Sequence, residues 1–158
     1  QLDLARVVLG GDAPGGHLAL GGGERQRLLG GSPSCTADPL PVKGVLSLGG
    51  VGDLQIAASD PEFSRACGAD TPAQLVDAAR RTDPYADTSP SRLPAPGVRR
   101  VMLHGEREQI APVSLGHAFA AQAATRGETV EVVTVPGGHF EVISPQAAAW
   151  AAVVAQIE

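Results

Sequence analysis

Short apolar runs alternate with longer amphipathic stretches along this chain. Apolar runs of this length, bounded by turn residues, are typical of buried strands. The predicted strands are Arg6–Gly10, Lys43–Leu48, Arg100–His104 and Thr129–Val135. The predicted helices are His17–Leu29, two short helices within Asp60–Arg81, Pro112–Arg126, and a last helix capped by Ser144 with Trp150, Val153, Val154 and Ile157 on one face.

The alternation of strands and helices defines the fold class. It predicts an α/β protein with about four parallel strands and helices on both faces of the sheet. Parallel sheets of this kind bind ligands at the carboxyl ends of their strands. Candidate functional residues are therefore expected directly after the strands.

Composition narrows the classes of function. The chain has 158 residues, which suits one domain, and its net charge of −5 argues against nucleic-acid and anionic-membrane partners. No apolar run is long enough for a membrane span, and no signal-peptide pattern opens the chain, so the cytoplasm is the default expectation. Cys35 and Cys67 are predicted to be isolated thiols, and the four histidines lack metal-ligand spacing. No metal or cofactor is called for.

The first strand leads into a glycine-rich turn, LGGDAPGGHLAL at residues 9–20. Gly11 and Gly15 stand two residues before and after Ala13, the spacing of a nucleophile elbow, G-x-Ser-x-G, in which the backbone bends sharply. Taken alone, glycine-rich turns between strand and helix are common. The turn indicates an active site only when it is considered together with the residues that follow the other strands.

Two further strand ends carry groups suited to acid–base chemistry. Glu106 and Glu108 follow the third predicted strand, where a carboxylate can accept a hydrogen bond from a histidine and hold its tautomer. His139 lies in a Gly-rich loop after the fourth strand, and its near-neutral pKa suits proton transfer. Elbow, acid and histidine occur in the chain order Ser, acid, His of α/β-hydrolases.

The segments VVLGGDAPGGHLAL, RRVMLHGEREQIAPV and VEVVTVPGGHFEVI, with SPSRLP before the third strand, resemble the α/β-hydrolase superfamily. The closest resemblance is to its esterase, lipase and prolyl-oligopeptidase-like branch, and it covers essentially the whole chain. It implies that Glu108 is the catalytic acid and His139 the base. Ala13 stands where the nucleophilic serine belongs, within an elbow and oxyanion segment formed by Gly11, Asp12, Pro14, Gly15 and Gly16.

The resemblance departs from the family at the two positions that do the chemistry. Ala13 supplies no attacking oxygen, and Pro14 replaces a residue whose backbone N–H would help to bind the oxyanion. We therefore expect no acyl-enzyme at this site. Because a residue before proline is pushed toward extended geometry, Pro14 is also expected to relax or reshape the turn at Ala13.

Three readings of function remain open. The first is a serine carboxylesterase or formamidase lineage, with small-molecule ester or amide substrates in the family, inactive in this chain. The second is a non-catalytic pseudoenzyme that binds a small molecule. The third is an interaction fragment that pairs with a missing N-terminal half or an oligomer partner. Asp12 as a substitute nucleophile is disfavoured, because Pro14 stands where the second elbow glycine would be, and Ser32 reads as a loop serine.

The resemblance also predicts how the chain is organised. Only twelve residues precede Ala13, so we expect residues 1–158 to form the C-terminal part of one hydrolase domain, lacking the upstream oxyanion loop. Residues 60–81 are expected to form a small cap. A half-sheet exposes a strand edge, so we expect the isolated chain to be molten, aggregated or oligomeric.

Overall fold

The computed structural model describes residues 3–25, 28, 30–94 and 97–157. The strands in these residues are β1 Val8–Asp12, β2 Gly44–Leu48, β3 Arg99–Gly105 and β4 Glu131–Val135. The α-helices are α1 Pro14–Glu24, α2 Leu54–Ser59, α3 Pro61–Cys67, α4 Thr71–Leu75, α5 Val113–Ala124 and α6 Trp150–Ala155. Short 3-10 helices lie at Leu4–Arg6, Ala78–Arg80, Pro90–Arg92 and Glu141–Ile143.

The strands form one parallel sheet in the order β1-β2-β3-β4. β2 is buried along its whole length, and β3 is buried apart from Arg99. Strands that are buried on both faces have nearly continuous apolar sequences, and for this reason the sequence pattern predicted the positions of β2 and β3 well. The predicted α/β class, with four parallel strands, is confirmed.

Helices cover both faces of the sheet. On one face, Val45 and Met102 pack with Leu20 of α1 and Phe119 of α5. The opposite face is covered by α6 and the segment before it, whose apolar residues pack against the alternate residues of β2 and β3. The cluster consists of the strand residues Leu46, Leu48, Val101, Leu103 and Val135, and of Val142, Ala149 and Val153 from the covering segment. The prediction of helices on both faces is therefore confirmed.

A third apolar cluster lies under the helices inserted between β2 and β3. Val51, Leu54, Phe63 and Leu115 are among its buried members. Helix α2 was not predicted from the sequence, because six residues are too few for a helical period to emerge. The sequence signal for the start of α2 is Asp53, its N-cap residue. Asp53 Oδ1 accepts a hydrogen bond from the backbone N–H of Ile56 at 2.9 Å.

Several predicted bounds are wrong in detail. β1 begins at Val8 and continues to Asp12, because Gly11 and Asp12 still pair with β2. Helix α1 begins at Pro14, since proline suits the first helical turn, and ends at Glu24. The predicted extension to Leu29 includes residues 26, 27 and 29, which lie outside the described residues.

The last helix differs most from its prediction. Ser144 does not cap it, because the Ser144 hydroxyl donates to Gln146 Oε1 and the chain turns twice before α6 begins at Trp150. Val153 is buried, as its predicted face requires, whereas Ile157 is 53% exposed. The apolar face is therefore shorter than the sequence suggested.

Among the described helices, none combines the length and the apolar content needed to cross a bilayer.

Candidate active site

Hydrogen bonds between neighbouring strand ends bring the three predicted loops together. The N–H of Ala13 donates to the carbonyl of Leu48, and the N–H of Gly49 donates to the carbonyl of Leu103, each at 2.8 Å. The N–H of Glu106 continues the series to the carbonyl of Val135, also at 2.8 Å. This continuation of the parallel ladder past the strands places the elbow, acid and histidine loops side by side.

The turn at Ala13 has the geometry of an elbow. Ala13 has φ 50° and ψ −116°, a conformation that costs a non-glycine residue on the order of 1–3 kcal/mol. The expectation that Pro14 would relax this turn is wrong. Proline disfavours the α region in the preceding residue, and a ψ of −116° lies outside that region, so Pro14 and the bend are compatible.

Close backbone packing explains two of the glycines around the bend. A Cβ on Gly11 would lie 2.1 Å from the carbonyl oxygen of Gly15, and a Cβ on Gly16 would lie 2.6 Å from Ser47 Oγ. A Cβ on Gly15 would meet nothing within 4 Å. The geometry therefore requires glycine at 11 and 16, whereas the sequence reasoning had emphasised 11 and 15.

Glu108 and His139 form a hydrogen-bonded pair. His139 Nδ1 lies 2.7 Å from Glu108 Oε2. The other carboxylate oxygen, Oε1, accepts from the backbone N–H groups of Ile110 and Ala111 at 2.8 and 3.2 Å. Burial alone would raise the pKa of Glu108, but these hydrogen bonds outweigh it and hold that pKa below its usual value.

The pair determines the state of the imidazole. Because the carboxylate of Glu108 can only accept, the ring N–H must be on Nδ1, and Nε2 is the nitrogen left for other chemistry. The hydrogen bond to Glu108 raises the pKa of His139 despite the opposing effect of burial. His139 is thereby held in one tautomer while its basicity increases.

The remaining candidates lie apart from this pair. Glu106 is exposed on the same loop, so of the two predicted carboxylates Glu108 contacts the histidine. Asp12 lies near enough to interact electrostatically with the pair, and burial raises its pKa against the effect of His139. Its Oδ1 is buried without a hydrogen-bond partner in the described structure. Ser32 lies in a loop, where its hydroxyl accepts from the N–H of Ser34.

A cavity of about 240 Å³ opens beside the bend and the histidine. Ala13, Pro14 and His139 form one side, and side chains of α2, α3 and α4 form the other. Its lining is apolar. An apolar enclosed space next to an acid–base pair is the usual form of a small-molecule site.

Sequence reasoning missed two contributors to the site. Gly49 has φ 52°, and a Cβ there would lie 2.9 Å from His139 Cε1 and Nδ1 and 3.2 Å from Glu108 Oε2. The signal in the sequence is the Gly49-Gly50 pair directly after the second strand. Phe63, a wall of the cavity, carried no signal of its role, because apolar helix positions look alike in sequence.

His104 and the cysteines have other environments. His104 is fully buried in β3 and its Nδ1 donates to the carbonyl of Ala111 at 3.1 Å. Cys35 and Cys67 are both free thiols. The described residues contain no cluster of three or more His, Cys, Asp or Glu side chains that could hold a metal ion.

Comparison with known proteins yields matches at the level of structure. No protein-family model matches the chain, and no curated protein matches it by sequence. Among solved structures, esterase B from Lactobacillus rhamnosis, in an inhibited form, superimposes with a TM-score of 0.74 at 16% identity, covering 98% of this chain and 52% of that one. A truncated carbohydrate esterase from gut microbiota gives a TM-score of 0.68 at 18% identity, covering 99% and 60%.

A peptidase shares the same architecture. Acylaminoacyl peptidase from Pyrococcus horikoshii gives a TM-score of 0.60 at 18% identity, covering 90% of this chain and 21% of that one. The chain therefore spans about half the length of the two esterases and about a fifth of the peptidase. With its parallel sheet, its bend after β1 and these neighbours, the chain has the α/β-hydrolase fold.

Proposed function

We propose that this chain is a serine carboxylesterase- or formamidase-type hydrolase that has lost its nucleophile. It keeps the acid, Glu108, the histidine, His139, and an apolar cavity of ester or amide size. It binds small molecules there without forming an acyl-enzyme. On this proposal residues 1–158 form the C-terminal part of one hydrolase domain, and the helices within residues 60–81, together with α2, form a small cap over the cavity.

The observation that carries the proposal is the bend at Ala13. Its strained backbone is retained between β1 and α1 although the residue has only a methyl group. A strained turn persists when the surrounding structure over-determines it, and such turns cluster at active sites. Here the methyl group lines the same cavity as His139, which is where a nucleophilic hydroxyl would act.

The retained pair supports half of a hydrolytic mechanism. Glu108 orients His139 and stabilises its protonated form, so Nε2 can take a proton from a hydroxyl in the cavity. The other half is missing. Ala13 has no oxygen to attack a carbonyl, and Pro14 has no N–H for the oxyanion, a loss of about 100- to 1,000-fold for one donor.

Restoring the nucleophile tests the proposal. We expect the wild-type chain to resist a fluorophosphonate probe and the Ala13→Ser/Pro14→Ala variant to be labelled, as followed by intact mass. The single variant Ala13→Ser should react more slowly than the double variant, because Pro14 still withholds its N–H. Adding His139→Ala should slow labelling at least about 100-fold, the usual contribution of a general base.

A matched pair on the acid loop controls this experiment. In the restored background, Glu108→Gln should lower the labelling rate, whereas Glu106→Gln, on the same loop but exposed, should leave it unchanged. Wild-type hydrolysis of p-nitrophenyl acetate that disappears in His139→Ala would show that a nucleophile exists elsewhere. A folded double variant that stays unlabelled would remove the support for an esterase lineage.

A further inference from the structure

One nitrogen of His139 has no hydrogen-bond partner among the described residues, although the side chain as a whole is largely buried. His139 is 6% exposed, and its Nδ1 is bonded to Glu108. No hydrogen bond joins Nε2 to any described residue, and the side chain lines the cavity. Nε2 is not fully enclosed by the described residues, so a small molecule in the cavity can reach it and form a hydrogen bond with it.

The other polar side chains around the cavity are already satisfied within the protein. His17 Nδ1 donates to the carbonyl of Val51 at 2.7 Å. The hydroxyl of Thr71 donates to the carbonyl of Cys67. Apart from the weakly polar thiol of Cys67, the described lining therefore offers a ligand one hydrogen-bonding side chain, His139.

The volume of the cavity limits the size of its ligand. At about 30 Å³ for each water-sized group, 240 Å³ holds roughly eight non-hydrogen atoms. Leu54, Phe63 and Ile110 are among the side chains around that space. The body of the ligand is therefore small and apolar.

Charge selects the head group of the ligand. A carboxylate would find one donor in the cavity, since Pro14 has no N–H, and it would lie near the carboxyls of Glu108 and Asp12. Burying an anion with so few partners is costly. A neutral hydroxyl both donates and accepts, so it can bond to Nε2 whether His139 is neutral or protonated.

The geometry points to a small neutral alcohol or phenol as the ligand of this cavity. Its hydroxyl would bond to Nε2 of His139 in the space left by the absent serine hydroxyl at position 13. Its apolar body would lie against the helices inserted between β2 and β3. This inference rests on the proposed function, because it requires the retained pair and the missing nucleophile.

Three probes of nearly equal shape separate the alternatives. Benzyl alcohol, toluene and benzoate would each be titrated into the wild-type chain and followed by amide NMR shifts. We expect benzyl alcohol to shift residues of the cavity, and benzoate to bind at least about tenfold more weakly because its charge is desolvated. Benzoate binding more tightly than benzyl alcohol would overturn the inference.

Variants isolate the hydroxyl contact from the general affinity of an apolar cavity. In Ala13→Ser the serine hydroxyl competes for Nε2, so the affinity for benzyl alcohol relative to toluene should fall about threefold to tenfold, the effect of one hydrogen bond. Ala121→Ser, an exposed position on α5, should leave that ratio unchanged. An unchanged ratio in Ala13→Ser would contradict the proposed contact.

The pH dependence gives an independent readout. Among the described residues, the titratable groups around the ring are Glu108, Asp12 and the buried His104, with His17 and Cys67 elsewhere on the cavity wall. Benzyl alcohol affinity should change less than about twofold between pH 6 and pH 8, because its hydroxyl serves both states of His139. A steep gain in benzyl alcohol affinity at low pH would show that the contact requires protonated His139 and would overturn the inference.

The two proposals can fail separately. Fluorophosphonate labelling of Ala13→Ser/Pro14→Ala, with no preference for benzyl alcohol in the wild type, would keep the proposed lineage and reject the alcohol site. Hydrolysis by the wild type would reject the missing nucleophile and, with it, the inference that depends on it.

Discussion

At the scale of single residues, the bend at Ala13 does not depend on the side chain at that position. The bend is held by backbone groups: Ala13 donates to Leu48, and its carbonyl accepts from Gly16 at 3.0 Å. None of these bonds uses a side chain at position 13. On the proposed function, alanine in place of serine would remove the reaction and leave the supports of the turn in place.

Glycine substitutions in the elbow should separate close packing from simple sequence spacing. Gly11→Ala should lower the free energy of unfolding by more than about 2 kcal/mol, because its Cβ would overlap the backbone of Gly15. Gly15→Ala should be neutral or stabilising by up to about 1 kcal/mol, since its Cβ is unobstructed and alanine favours the helix. Urea unfolding measures both; equal losses would contradict this account of the elbow.

At the scale of the elements, a buried charge cluster joins α1, β3 and the end of α5. Arg100 donates to Glu24 Oε1 at 3.1 Å and to Glu128 Oε2 at 2.7 Å. Glu24 and Arg100 are almost completely buried. Burial raises the pKa of Glu24 to about 8, although the charge of Arg100 opposes this. The two carboxyls share one guanidinium, so the proton on Glu24 relieves their repulsion.

The cluster should make stability depend on pH. The pKa of Glu24 is higher in the folded protein than in the unfolded chain, so Glu24 contributes stability that is fully present below about pH 4.5. That contribution is lost as the pH rises through about 8, and is at most about 5 kcal/mol. Glu24→Gln mimics the protonated carboxyl, so between pH 5 and 8 its unfolding free energy should decline less than that of the wild type. Parallel declines would contradict the shifted pKa.

Arg100→Met provides the contrasting variant in the same cluster. It leaves the buried Glu24 without its hydrogen-bond donor, while Glu128 keeps its ion pair with Arg126. At pH 7 it should therefore cost about 1–3 kcal/mol, against less than about 1 kcal/mol for Glu24→Gln. Urea unfolding at fixed pH makes the comparison.

At the scale of the whole molecule, the sheet has an open edge at β1. In the described residues β1 pairs with β2 on one side only, and it is half-buried where β2 is fully buried. Leu18, on the helix that packs against β1, is 71% exposed. Unpaired strand edges next to exposed apolar side chains favour association.

Self-association of the chain is the corresponding prediction. Sedimentation velocity should show an average mass that increases with protein concentration. Leu18→Lys should reduce this increase more than Ile157→Lys, which changes an exposed apolar residue beyond α6. A monomer at all concentrations, with one cooperative thermal transition, would contradict the prediction.

The sequence by itself determined the fold class and the residues of the candidate site. Buried parallel strands are continuous apolar runs, so their number and their positions along the chain could be predicted directly. Glu108 and His139 follow strand ends, where a parallel sheet collects its functional groups. The predicted starts of α1 and α6 were wrong, because proline and serine signals near a helix start do not say which turn is the first.

Only the tertiary structure decided the geometry. The strained bend at Ala13, the close packing of Gly49 on His139 and the apolar cavity each depend on contacts between residues far apart in the chain. Local preference even pointed the wrong way at Ala13, where proline suggested an extended backbone. The hydrogen bonds between strand ends outweighed that preference, because they constrain the bend from several strands at once.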